Sequence, residues 1–134
     1  MKYDQYTKKE IEILNLQLIS TFLFIITLII SLLLTYDEKI SKISNKHIFQ
    51  DKTAKKISLY NRIVVVILAF SFVYGNYVNE KIAESRHLKN IKYLKLQVFS
   101  GELSLIASII VLYIVYKNQQ NQNFGVADTE NPVL

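Results

Sequence analysis

LQVFSGELSLIASIIVLYIVY, residues 96–116, is an apolar run between Lys95 and Lys117, broken near its start by a glycine and an acid, Gly101 and Glu102. A hydrocarbon core of about 30 Å is crossed by about 20 helical residues, and this run has that length. Two other runs match it. Ile13 to Tyr36 is uncharged between Glu12 and Asp37, and Ile63 to Asn79 lies between Arg62 and Glu80. The second of these is close to the roughly 17-residue minimum for a span, so its ends must snorkel. A 134-residue chain that is 51% hydrophobic with three Gly and one Pro, its apolar residues gathered in blocks, is not composed like a soluble domain. The expected fold is an all-α integral membrane protein with three transmembrane helices and helical basic loops. Its spans fall at about 13–36, 60–79 and 96–116 within one domain, 1–117, followed by a disordered polar tail, 118–134.

Tyrosines mark the span limits, because amphipathic rings settle at membrane interfaces. Tyr36, Tyr60, Tyr113 and Tyr116 belong to one interface, and Tyr74, Tyr77 and Tyr93 to the other. The first run is too long for the roughly 7 to 15 residue core of a signal peptide and ends in LLLTYDEK without a small-x-small site, so it reads as an uncleaved anchor. The basic residues of the two faces tie at eight each. The basic first loop beside the first span then sets the orientation, with the N-terminus outside; insertion in both orientations is the alternative.

The loops 37–58 and 79–95 are polar, basic and free of Gly and Pro, which favours helix. In the second, Leu88, Ile91 and Leu94 recur every three residues, so the third helix is expected to begin before the membrane. Lys52, Lys55, Lys56, Arg62, Arg86, Lys89, Lys92 and Lys95 form a membrane-surface basic set that suits the lipid bilayer and its anionic lipids. No nucleic-acid-binding motif accompanies this charge. His47 with Asp51, and His87 with Glu84, share helix faces as ion pairs; a metal site needs more ligands than either pair offers.

Set over 96–116, residues 16–36 match at Leu16, Gln17, Ser20, Leu23, Ile26, Ile29, Ile30, Leu32 and Tyr36. The repeat brings Gln17, Gln97, Ser20 and Ser100 to one level, where the second helix supplies Asn76 and Tyr77 and the third supplies Glu102. That is a candidate polar intramembrane cluster, acting as packing glue or as an ion site. Gly75 and Gly101 beside it permit close backbone approach. Polar residues thin out in the other half of the spans, which are mostly Ile, Leu and Val there. Catalysis is not expected: Glu102 has no second carboxylate or histidine at its depth, the chain has no Cys, and no phosphate-cradling or nucleophile motif occurs. No cofactor is implied.

LSLIASIIVLYIVYKN, followed by an Asn-rich tail ending ENPVL, resembles the small uncharacterised multi-pass membrane proteins of AT-rich large DNA viruses, as does the heavy use of Ile, Lys, Asn and Tyr. The likeness covers the last quarter of the chain and implies a viral protein in a cell or virion membrane; no site residues carry over. The expected function is a non-enzymatic structural or accessory subunit of a membrane assembly, as a homo-oligomer or with other membrane subunits. The rival is an oligomeric ion channel or holin-like pore with Glu102 in its pathway.

Overall fold

The computed structural model describes residues 5–46, 48–87, 89 and 91–119, and every regular element in it is an α-helix. These are α1, Gln5–Ser44; α2, Asp51–Ser85; and α3, Ile91–Asn118. All three are long and apolar enough to cross a membrane. At a rise of about 1.5 Å per residue, the 40 residues of α1 extend roughly 60 Å, well past its uncharged core. The basic loops are therefore largely helix, as their lack of breakers predicts: α1 runs on through Asp37 to Ser44, and α2 begins at Asp51.

Short turns replace the middle of each loop, and both begin at a residue that tolerates a left-handed backbone. Asn45 has φ 56°, and its N–H bonds to the Ser41 carbonyl at 2.9 Å, which closes α1. At the end of α2, the Arg86 N–H takes the Ile82 carbonyl at 3.0 Å and His87 swings to φ 53°. The expected pairing of His87 with Glu84 on a helix face does not form, because the helix has already ended. The His87 backbone N–H meets the Glu84 carbonyl instead, at 3.2 Å. His47, Leu88 and residues 120–134 lie outside the described residues, and with them the His47–Asp51 pair, the first member of the leucine stripe and the polar tail.

α2 is the central element. Among the described residues, α1 and α3 each pack on α2 and not on one another. The buried positions repeat every seven residues: Ile13, Ser20, Thr27 and Leu34 on α1, and Ala54, Asn61, Leu68, Gly75 and Ile82 on α2. A sustained seven-residue repeat is the signature of left-handed, knobs-into-holes pairing. The seam is filled with small residues, which lets the backbones come close. A Cβ on Gly75 would stand 3.3 Å from Gln17 Nε2 and 3.4 Å from Ile13 Cγ2. On the other side of α2, a Cβ on Gly101 would stand 3.3 Å from Val73 Cγ2. Both glycines are where helices touch.

Candidate functional site: a buried polar seam

The most polar interior region lies between α1 and α2, toward the end of the molecule where α1 finishes. Asn61, 4% exposed, extends its amide across the seam. Its Nδ2 donates to the Thr27 carbonyl at 3.2 Å and to Ser31 Oγ at 3.1 Å. Thr27 Oγ1 in turn donates to the Phe24 carbonyl at 2.6 Å, so the hydroxyl is satisfied within its own helix. Asn61 Oδ1 is buried without a hydrogen-bond partner among the described residues. Ser58 and Arg62, one turn before Asn61 and directly after it, are also buried. Asp37 completes this end: its Oδ1 accepts from the Ile48 and Phe49 N–H groups at 2.5 and 3.2 Å, which ties the turn back onto α1.

This region corrects one sequence-based expectation. In α1 the polar groups do not thin out in the second half of the helix; its buried face carries Ser20, Thr27, Ser31 and Asp37 along most of its length, whereas the matching halves of α2 and α3 are largely apolar. Thr27 and Ser31 escape a search by composition because each is isolated among apolar residues. The signal that finds them is their spacing, since Ser20 and Thr27 sit seven apart in register with Ile13 and Leu34, and Asn61 sits seven apart from Ala54 and Leu68.

The cluster expected around Glu102 is distributed over three surfaces. Ser20 is buried in the α1–α2 seam and Gln17 lies half-buried against Gly75. Asn76, also half-buried, reaches toward α3, its Nδ2 3.5 Å from the position of a Gly101 Cβ. Gln97, Ser100, Glu102 and Tyr77 are exposed. The reason is a rotation. α1 buries positions 13, 20, 27 and 34, whereas α3 buries Val98, Ser108, Val111 and Val115. Adding the repeat offset of 80 to the α1 set gives 93, 100, 107 and 114, so the faces differ by about one residue, or about 100°. Ser100 therefore does not occupy the place that Ser20 has.

Of the basic set, Lys52, Lys56, Lys89, Lys92 and Lys95 are exposed and Lys55 is half-buried. Arg62 departs from the set, being 3% exposed and part of the interior rather than the surface, because it follows Asn61 on a stretch of α2 packed on both sides. Gln119, just past α3, donates from Nε2 to the Lys55 carbonyl at 2.6 Å, joining α3 to the same end of α2.

The opposite end is closed by charge and aromatic contacts. Arg86 pairs with Glu10 at 3.3 Å and lies over the Tyr6 ring, 5.0 Å from its centre, which holds the end of α2 to the start of α1. Glu84 pairs with Lys81 at 3.8 Å and Lys95 at 3.9 Å, so Lys95 is engaged away from Glu102. The Lys9 ammonium is held above its ordinary value, first by the charge of Tyr74 and its hydrogen bond, then by Glu12. A shallow cleft here is lined by Gln5, Tyr6, Lys8, Lys9, Glu12 and Ile82. Among the described residues, no group of three His, Cys, Asp or Glu is placed to hold a metal ion.

Comparison with known proteins finds no matching family model, no matching curated protein and no matching solved structure.

Proposed function

We propose that the chain is a multi-pass integral membrane protein that acts through assembly, as a structural or accessory subunit in a bilayer. The observation that carries this reading is the direction in which its polar groups face. Thr27, Ser31 and Asn61 bond to one another or to their own helix in a closed seam, while Leu18, Phe22, Leu32, Ile67, Phe70 and Ile106 are exposed. Lipid or neighbouring subunits would cover such a surface, and interhelical hydrogen bonds would hold the seam in a solvent that offers no other partners. Exposed Lys52, Lys56, Lys89 and Lys92 near the helix ends suit anionic headgroups. The likeness to viral multi-pass proteins supports an origin in a cell or virion membrane.

The second reading, an ion channel or holin-like pore, draws on the polar residues along the α1 seam. Conduction through them would require α1 and α2 to part, at the cost of the Asn61 bonds. Reconstitution of the purified chain in liposomes, with ion-flux and dye-release assays, separates the readings. Absence of flux together with a defined oligomer supports assembly. Robust flux that Glu102→Gln or Asn61→Leu abolishes replaces it with the pore.

A further inference from the structure

We infer that Asn61 is a sorting residue: it decides which of two like helices, α1 or α3, occupies the seat on α2 that α1 fills. The inference goes beyond the proposed function, since it concerns pairing within one chain, whatever the assembled chain does. α1 and α3 each pack on α2, and residues 16–36 match residues 96–116 at nine positions. Where α1 buries Ile13, Ser20, Thr27 and Leu34, the offset of 80 places Tyr93, Ser100, Ala107 and Ile114 on α3. Ser20 and Ser100 are identical and Leu34 and Ile114 are close in size, so half of these positions accept either helix. The face that α3 now turns to α2 lies only about one residue round from this set. Apolar packing alone therefore discriminates poorly between the two occupants.

The two helices differ where Asn61 stands. On α1 its Nδ2 donates to the Thr27 carbonyl at 3.2 Å and to Ser31 Oγ at 3.1 Å. The counterparts of Thr27 and Ser31 on α3 are Ala107 and Val111, so α3 in that seat offers a backbone carbonyl but no hydroxyl. One hydrogen of the buried amide would then be unbonded, and an unmade bond costs more than a made one contributes. Turning the amide over brings no relief, because its oxygen would face the backbone carbonyl, which only accepts. Tyr93 adds a second obstacle, its ring falling where Ile13, 2% exposed, fits beside Gly75. Asn61 sorts at a cost in stability, since its Oδ1 is buried without a hydrogen-bond partner among the described residues even with α1 in place. A side chain of this kind selects a partner better than it stabilises one, as a single buried asparagine does in the seam of a coiled coil.

The chain has no cysteine, so paired cysteines report the occupant directly. Leu68 lies between Gly75 and Asn61 in the seven-residue repeat of α2, and Ser20 lies between Ile13 and Thr27 in that of α1, so the two share a layer of the seam. Leu68→Cys is combined either with Ser20→Cys, which reads α1 in the seat, or with Ser100→Cys, which reads α3. Full-length protein at one chain per liposome, in phosphatidylcholine and phosphatidylglycerol, is oxidised, and the cross-linked monomer is measured by mass spectrometry. In the otherwise unaltered chain, the cross-link to position 20 should dominate. Asn61→Leu should shift the ratio toward position 100 by roughly 3- to 20-fold, the range of one membrane hydrogen bond. Exchanging the partner residues, Thr27→Ala and Ser31→Val with Ala107→Thr and Val111→Ser, keeps the composition of the chain and should shift the ratio further in the same direction. Adding Asn61→Leu to that exchange should undo most of the shift. Equal cross-linking to positions 20 and 100 in the unaltered chain, a ratio that the exchange does not move, or an exchange whose effect persists with Asn61→Leu overturns the inference. The exchange is read with Asn61 intact, so it decides even where Asn61→Leu weakens the fold.

Discussion

Replacing Asn61 with alanine removes two side-chain hydrogen bonds that α2 sends into α1, to the Thr27 carbonyl and to Ser31 Oγ. Within a bilayer, such bonds average about 0.6 kcal/mol and reach about 1.7, so the pair contributes roughly 1 to 3 kcal/mol to closing the seam. Two further effects partly cancel. The truncated amide leaves a void at a buried position, while removing the unpartnered Oδ1 relieves a desolvation cost. The net loss expected for Asn61→Ala is about 1 to 3 kcal/mol, and Asn61→Asp should lose more, because it puts an acceptor in place of Nδ2 against the Thr27 carbonyl. A double-mutant cycle with Ser31→Ala isolates one bond: the Thr27 acceptor is backbone and survives, so the coupling energy should be about 0.6 to 1.7 kcal/mol. Steric trapping of the reconstituted protein in bicelles, with biotin tags on α1 and α2, measures each corner of the cycle. Coupling indistinguishable from zero would refute the reasoning, as would Asn61→Ala proving no worse than Ile67→Ala at an exposed position of the same helix.

Gly75→Leu should wedge α1 from α2, since even a Cβ there stands 3.3 Å from Gln17 Nε2; a cost of about 1 to 3 kcal/mol is expected in the same trapping assay. Asp37→Ala leaves the Ile48 and Phe49 amides without their acceptor, and hydrogen exchange at those two amides should quicken while exchange at Leu68 does not change. The raised Lys9 value means that its contact is fully present below the ordinary lysine range and is lost as pH rises through the elevated folded value. Fraying of the first turns of α1 at alkaline pH, followed by hydrogen exchange, should therefore lose this component in Tyr74→Phe.

The helices were legible because their determinants are local. Three apolar runs of near-spanning length, and loops without Gly or Pro, predict almost everything that α1, α2 and α3 do along their axes. The two turns were less so, because neither holds a glycine; Asn45 and His87 take the left-handed positions, and nothing in a polar, helix-permitting stretch distinguishes them from their neighbours. What escaped was rotation about the axes. Depth follows from counting residues, and it placed Gln17, Ser20, Asn76, Ser100 and Glu102 at one level. Whether residues at one level meet depends on which face each helix buries. In α3, the face is displaced by about one residue from the one that its likeness to α1 suggested. Gly75 and Gly101 mark the packed faces directly, since a Cβ on either would stand 3.3 Å from a side chain of the neighbouring helix.

A division between hydroxyls and acceptors explains which polar side chains the helices satisfy by themselves. The helix backbone uses its own N–H groups and leaves carbonyls with a spare lone pair, so it can absorb added donors but not added acceptors. Thr27, Thr35, Ser71 and Ser108 each donate to a carbonyl three or four residues back and need nothing further. Asn61 is half of each kind: its Nδ2 is doubly used and its Oδ1 is stranded. Glu102, as a carboxylate, is wholly an acceptor and stands on the exposed side of a helix whose other face is already committed to α2. Rotating α3 to bury the acid would turn Gly101 away from Val73 and put a larger residue in its tight place against α2. The fit of α2 to α3 thus keeps the acid on the outward side of α3.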